Sequence, residues 1–94
     1  MANLEVDLVA ADRKVWSGEA SMVSAPAADG DIGILPGHAP VLAVLRPGIV
    51  RITDMSGAVH TVKVDAGFLS VDSDQVSVVV DTARGDDAAV AGRR

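Results

Sequence analysis

"IVRITDMSGAVHTVKV", residues 49 to 64, is the stretch whose reading decides the fold. Val50 and Ile52 alternate with polar side chains, and so do His60, Val62 and Val64. A period of two belongs to a strand with one buried face, because successive side chains leave opposite sides of a pleated backbone. The two runs flank Met55-Ser56-Gly57, where the glycine supplies the positive φ that a tight turn demands. The stretch therefore reads as a β-hairpin.

The same pattern extends outward in both directions. In LEVDLVA, Leu4, Val6, Leu8 and Ala10 share one face while Glu5 and Asp7 take the other. KVWSG ends at a glycine, and EASMVSAP offers a further short strand that Pro26 is expected to stop, since proline cannot donate to a ladder. VLAVLRPG closes on a Pro47-Gly48 turn, and GFLSVDSDQVSVVVD turns at Asp72, Ser73 and Asp74. The sequence predicts about nine or ten short strands, and alternating strands that bury one face each imply an all-β antiparallel sandwich. Valine-rich alternation stops near Ala83, which divides the chain into a sandwich over residues 1–83 and a short tail over 84–94. In the tail Asp86 and Asp87 could open a short helix that Gly92 ends, marginal in isolation.

The 94 residues make one domain, 49% hydrophobic and 22% charged, with sixteen valines; that composition is globular rather than disordered. Trp16 and Phe68 are the aromatic residues, so the core must be aliphatic, with Trp16 expected as its one large anchor. A net charge of −5 with scattered Lys and Arg argues against nucleic-acid binding and against docking on anionic lipid. The absence of cysteine excludes disulfides and thiolate metal sites. Glu5 and Asp7 interrupt any signal peptide, and the longest uncharged run, the 14 residues from Ile32 to Leu45, is broken by Pro36 and Pro40, so direct insertion into lipid is not expected.

Enzyme templates fit poorly. Gly30, Gly33 and Gly37 have the wrong spacing for a phosphate-binding loop, and His38 stands where the lysine would follow. No G-x-S-x-G elbow occurs. His60 reads as a strand histidine at a sheet margin, because a zinc site needs three or four ligands and the spacing offers none. Asp29, Asp31, Asp54, Asp72 and Asp74 fall at turns, where aspartate bonds its own backbone. No catalytic, cofactor-binding or metal-binding residue is assigned, and a binding module remains.

The segment GDIGILPGHAP, residues 30 to 40, reads as a short buried strand from Ile32 to Leu35, left through a rigid Pro36-Gly37 corner. Gly33 inside it suggests a bulge or a closely pressed backbone. Loops at 28–31 and 36–40 then become contact surfaces, and His38 is either such a contact or an exposed loop histidine bonded to a carbonyl. This string resembles the signature of the F-type ATP synthase epsilon subunit, G-[DE]-x-G-[IV]-x-P-G-H-x-P. LVAADRKVWSGEA, LRPGIVRI and DAGFLSVDSDQVSVVVDTA resemble its first hairpin, central turn and closing hairpin, so that residues 3 to 83 are covered. Asp65-Ala66-Gly67 departs from the glycine pair of many members.

The resemblance implies a non-catalytic rotor subunit of a proton-translocating complex, peripheral on the cytoplasmic face of the cell membrane. It would couple rotation of the c-ring to the catalytic head through the gamma subunit. Asp31 matches the acidic position facing the ring; His38, Ala10 and Ala43 match positions on the gamma side. Members usually continue into a two-helix hairpin, whereas eleven residues follow Ala83 here. The expectation is a chain that couples, binds no ATP and does not inhibit through its C-terminus. The alternative is a free-standing sandwich adaptor or small-ligand-binding module, which would present a concave polar pocket instead of a flat apolar patch.

Overall fold

The computed structural model describes residues 3–85. They form nine strands: β1 (Leu4–Ala10), β2 (Arg13–Ala27), β3 (Gly30–Ile34), β4 (Val41–Leu45), β5 (Gly48–Asp54), β6 (Val59–Val64), β7 (Gly67–Asp72), β8 (Gln75–Val80) and β9 (Ala83–Gly85). Two layers share β2. Its first half pairs with β1, in the series β4-β7-β8-β1, and its second half pairs with β3 and β5, from which the sheet continues to β6 and β9. The ladder partners are antiparallel except β1 and β8, which run parallel from Glu5 opposite Gln75 to Ala10 opposite Val80.

Between the layers lies an aliphatic core of Leu4, Val6, Leu8, Val23, Ile34, Leu45, Val50, Ile52, Leu69, Val76, Val78 and their neighbours, with no polar side chain buried among the described residues. The alternation that predicted the strands is the alternation that fills this space. Burying apolar area at about 25 cal/mol per Å² is the main favourable contribution to such a fold.

The structure corrects the expected strand boundaries in β2. KVWSG and EASMVSAP are one strand of 15 residues. Gly18 does not end it; the glycine makes room for Trp16, whose Cη2 would stand 3.1 Å from a Cβ there. Pro26 does not stop it either. It lies opposite Asp31, one residue before the strand ends at Ala27, and its carbonyl accepts from the Arg46 amide at 2.9 Å. A register shift between Ala20 and Met22 lets the strand pass from one layer to the other.

Trp16 is also corrected. It is half-buried and packs against the core from its margin, its ring 5.4 Å from that of His60. A bulge sets Val15 between the Leu8–Trp16 and Val9–Lys14 pairs and turns the strand at this point, so aliphatic residues close the interior without the indole. In β3 neither expectation for Gly33 holds: the register with β2 is regular, and a Cβ would meet only the Met22 methyl at 3.6 Å. Ile34 is buried and Leu35 is exposed. The proposed helical start at Asp86 and Asp87 lies outside the described residues.

Candidate partner-binding surface

Two turns frame the candidate site. Leu35 to His38 form a Pro-Gly corner in which the His38 amide donates to the Leu35 carbonyl at 3.1 Å and Gly37 adopts φ +88°, a left-handed value that favours glycine. The Gly37 amide donates to the Asp74 carboxylate at 2.7 Å, tying the corner to the β7–β8 turn. His38 Nδ1 lies 2.6 Å from the Ala39 carbonyl, so the carbonyl-bonded reading of this histidine describes its geometry.

The second turn joins β2 to β3 through Ala28 and Asp29. The Ala28 amide donates to the Val44 carbonyl at 2.8 Å, and Arg46 Nε donates to the Ala27 carbonyl at 3.0 Å. Asp31 is exposed on this hairpin, 3.6 Å from the Arg46 guanidinium, an open ion pair of small energetic weight. Because β4 runs from the corner of His38 to the neighbourhood of Asp31, these two candidates stand toward opposite ends of that strand.

Ala10 and Ala43 are placed differently. Ala10 is 2% exposed and its methyl belongs to the core, while Ala43, half-buried, lies between Leu42 and Val44, which face outward. The outward neighbours of the two alanines form a surface. Val44 lies opposite Phe68, Phe68 opposite Val79, and Val79 beside Val9, so one row of apolar side chains crosses four strands. Leu42 stands two residues along from Val44 on the same face, opposite Ser70. Leu42 is 71% exposed, Val44 56%, Phe68 54% and Val79 52%. Monomeric soluble proteins rarely leave such side chains contiguous unless something covers them.

An open cleft of about 420 Å³ indents this corner, walled by Val44, Ala66, Gly67, Phe68, Val79 and Asp81. A larger, more polar one of about 550 Å³ lies between Pro47, Lys63, Asp65, Thr82 and Arg84, at the limit of the described residues. Size does not decide between them; continuity of apolar surface does. Among the described residues the outer face of the second layer has no unbroken row of this kind, because Thr53 separates Met22 from Val59.

A polar cluster lies at the β5–β6 turn. One Asp54 oxygen accepts from the Ser56 hydroxyl at 2.6 Å and from the amides of Ser56 and Ala58 at 2.9 and 3.0 Å; the other lies 2.8 Å from His60 Nε2. The Ser56 hydroxyl, with His60 next, holds this carboxyl well below the usual carboxylate range. No group of three or more His, Asp or Glu among the described residues has metal-binding geometry.

The missed residues had a faint signal. A half-buried strand should carry polar residues on alternate positions, yet VLAVL is apolar at both parities and Val79 breaks the alternation of QVSVVV.

Fold and surface together define a small β-sandwich with one continuous apolar row on an outer sheet face. Residues 3–85 match the family model described as ATP synthase, Delta/Epsilon chain, beta-sandwich domain, and the chain belongs to that family. It is 48% identical over 91 residues to the ATP synthase epsilon chain of Micrococcus luteus, an alignment covering 97% of this chain and 100% of that one. It is likewise 48% identical to the ATP synthase epsilon chain of Alkalilimnicola ehrlichii over 83 residues, 88% of this chain and 59% of the relative. The length spanned thus differs among relatives, from the whole of one to little more than half of another. In solved structures the fold is similar to a chain of the Euglena gracilis mitochondrial ATP synthase OSCP/F1/c-ring assembly, with a TM-score of 0.85 at 21% identity, covering 97% of this chain and 61% of that one. A chain of the Tetrahymena thermophila mitochondrial ATP synthase central stalk and c-ring matches with a TM-score of 0.72 at 19% identity, covering 97% and 72%.

Proposed function

We propose that this chain is a non-catalytic rotor subunit of a proton-translocating F-type ATP synthase, seated on the gamma subunit and above the c-ring. It would transmit ring rotation to the catalytic head as a peripheral part of the complex at the cytoplasmic face of the cell membrane. The observation that carries the reading is the apolar row Val44–Phe68–Val79–Val9, a flat sheet face of the kind that packs against another protein. The identity to epsilon chains along nearly the whole chain supports it.

In this reading Leu42, Val44, Phe68 and Val79 make the gamma contact, with His38 and Ala43 at its margin and Ala10 supporting the strand from inside. Asp31, exposed on the β2–β3 hairpin, faces the ring. Torque transmission asks for a stiff module, and a core without buried polar groups, shared by two layers through one long strand, is stiff. No cofactor is called for. The reading as a small-ligand module would draw on the more polar cleft between Pro47, Lys63, Asp65, Thr82 and Arg84, but that cleft is open, and the continuous apolar row and the family favour the rotor reading.

Co-expression with gamma tests the proposal. Gamma is expected to co-purify with this chain, and Phe68→Ser, which spares the core, should weaken the complex at least tenfold, about 1.4 kcal/mol, as for an aromatic contact near an interface centre. Equal recovery of gamma with the variant would reject this face.

A further inference from the structure

We infer that the partner covering the apolar row carries a cationic element beside its apolar one, and that the Glu5–Glu19 corner of this chain selects for it. The inference rests on the reading of this face as a partner contact and adds the partner's chemistry.

The cross-strand register orders the outer face into three parallel rows. The first is Val44, Phe68, Val79, Val9 and Lys14. The second is Leu42, Ser70, Ser77, Asp7 and Ser17, and the third is Asp72, Gln75, Glu5 and Glu19. The face is therefore graded diagonally, apolar at the β4–β7 corner and acidic at the β1–β2 corner. Val9 stands four positions along β1 from Glu5, about 13 Å at about 3.3 Å per residue. One partner element can span both.

The acidic corner is not neutralised from within. Lys14 reaches only Asp7, at 3.5 Å, and Asp7 also accepts from the Ser17 hydroxyl at 2.9 Å. Among the described residues Glu5, Glu19 and Asp72 make no ion pair. Glu5 lies directly opposite Glu19 on paired antiparallel strands, where like charges cost stability. A cationic group across the interface would relieve that repulsion, and it would do so more strongly once water is excluded.

A second copy of this chain is a poor occupant. Among the described residues its own copy of this face carries Lys14, held by Asp7; Arg13 pairs with Asp12 and Arg46 with Asp31, while Arg51, Lys63 and Arg84 lie on the other layer. The complementary surface belongs to a different protein, with Lys or Arg placed about 13 Å from an apolar ridge. In the proposed rotor that protein is gamma. Charges at the edge of an interface steer encounter, whereas buried apolar contacts set dissociation.

The test measures association and dissociation rates of the full chain with purified gamma from about 50 to about 500 mM salt, a range over which the Debye length shrinks severalfold. Glu5→Gln with Glu19→Gln is expected to lower the association rate about three- to tenfold at low salt and to flatten its salt dependence, leaving dissociation nearly unchanged. Asp12→Asn with Asp29→Asn, on the β1–β2 and β2–β3 turns, is the charge-matched control and should change neither. If the double variant keeps the original rate and salt slope while Phe68→Ser speeds dissociation, the face is right and the charge selection is wrong. If Phe68→Ser dissociates unchanged, the reading beneath it falls as well. Sedimentation of the chain alone should show a monomer; a dimer that Phe68→Ser abolishes would assign the face to a second copy and overturn the inference.

Discussion

Asp54 shows how much one side chain can organise. Its carboxylate collects the donors of a four-residue turn and faces a ring nitrogen of His60, which in turn packs on Trp16. All of these bonds favour the ionised form, so the folded-state pKa lies below the unfolded value of about 3.9. The stability contributed is then fully present above about pH 4 and is lost as the pH falls below it, toward the folded pKa. Thermal melts between about pH 2 and about pH 5 should show the parent losing stability more steeply than Asp54→Asn, while parallel curves would show that the turn does not sense the carboxylate's charge. At Trp16 the half-buried ring predicts a smaller penalty than a core truncation. Leu8→Ala should cost about 2–5 kcal/mol in denaturant melts, and Trp16→Ala less than the roughly 3–5 kcal/mol of a core tryptophan. A Trp16 loss at or above that range would restore the indole to the core. The sequence identified Trp16 as large and apolar, but burial at a strand position depends on the bulge beside it, and one strand's residues do not encode where its partner shifts register.

At the scale of elements, hairpins were legible and long-range pairing was not. The turns at Gly57 and at Ser73-Asp74 carry their own chemistry: Gly57 has φ +94°, and Ser73 and Asp74 take φ 51° and 63°, the two left-handed central residues of a tight hairpin. The parallel pairing of β1 with β8 joins residues some seventy positions apart, and local alternation says nothing about it. In the sequence Gly18 looks like a stop that divides β2 and Pro26 like one that ends it, whereas in the fold the glycine accommodates an indole and the proline carbonyl accepts a hydrogen bond. Gly67 shows the same non-local logic. A Cβ there would collide with the Val79 carbonyl oxygen and crowd Val80 on β8, so the β7–β8 pair approaches closely at its open end. Gly67→Ala should destabilise by about 1–3 kcal/mol or more, measured by denaturant midpoint, because the obstacle is backbone rather than a flexible side chain. Ala66→Gly, one position earlier and exposed, should shift the midpoint little. Equal shifts for both would contradict the close approach.

For the whole molecule, the proposed rotor role is directional: the outer face of the β4-β7-β8-β1 layer would meet gamma, and the β2–β3 hairpin would meet the ring. Resemblance in the sequence pointed to Asp31, His38, Ala10 and Ala43. It did not separate inward from outward residues, and in a strand a displacement of one position exchanges the two faces. Ala10 and Ala43 thus stand one residue away from Val9, Leu42 and Val44, which the partner would touch. The chain has no cysteine, so one introduced thiol gives one attachment point. The most direct measurement is cross-linking in the assembled complex from three single variants: Phe68→Cys on the apolar row, Asp31→Cys on the hairpin, and Arg51→Cys on the outer face of the second layer. A gamma adduct is expected from position 68, a c-subunit adduct from position 31, and neither from position 51. A gamma adduct from position 51 with none from position 68 would contradict the proposed orientation.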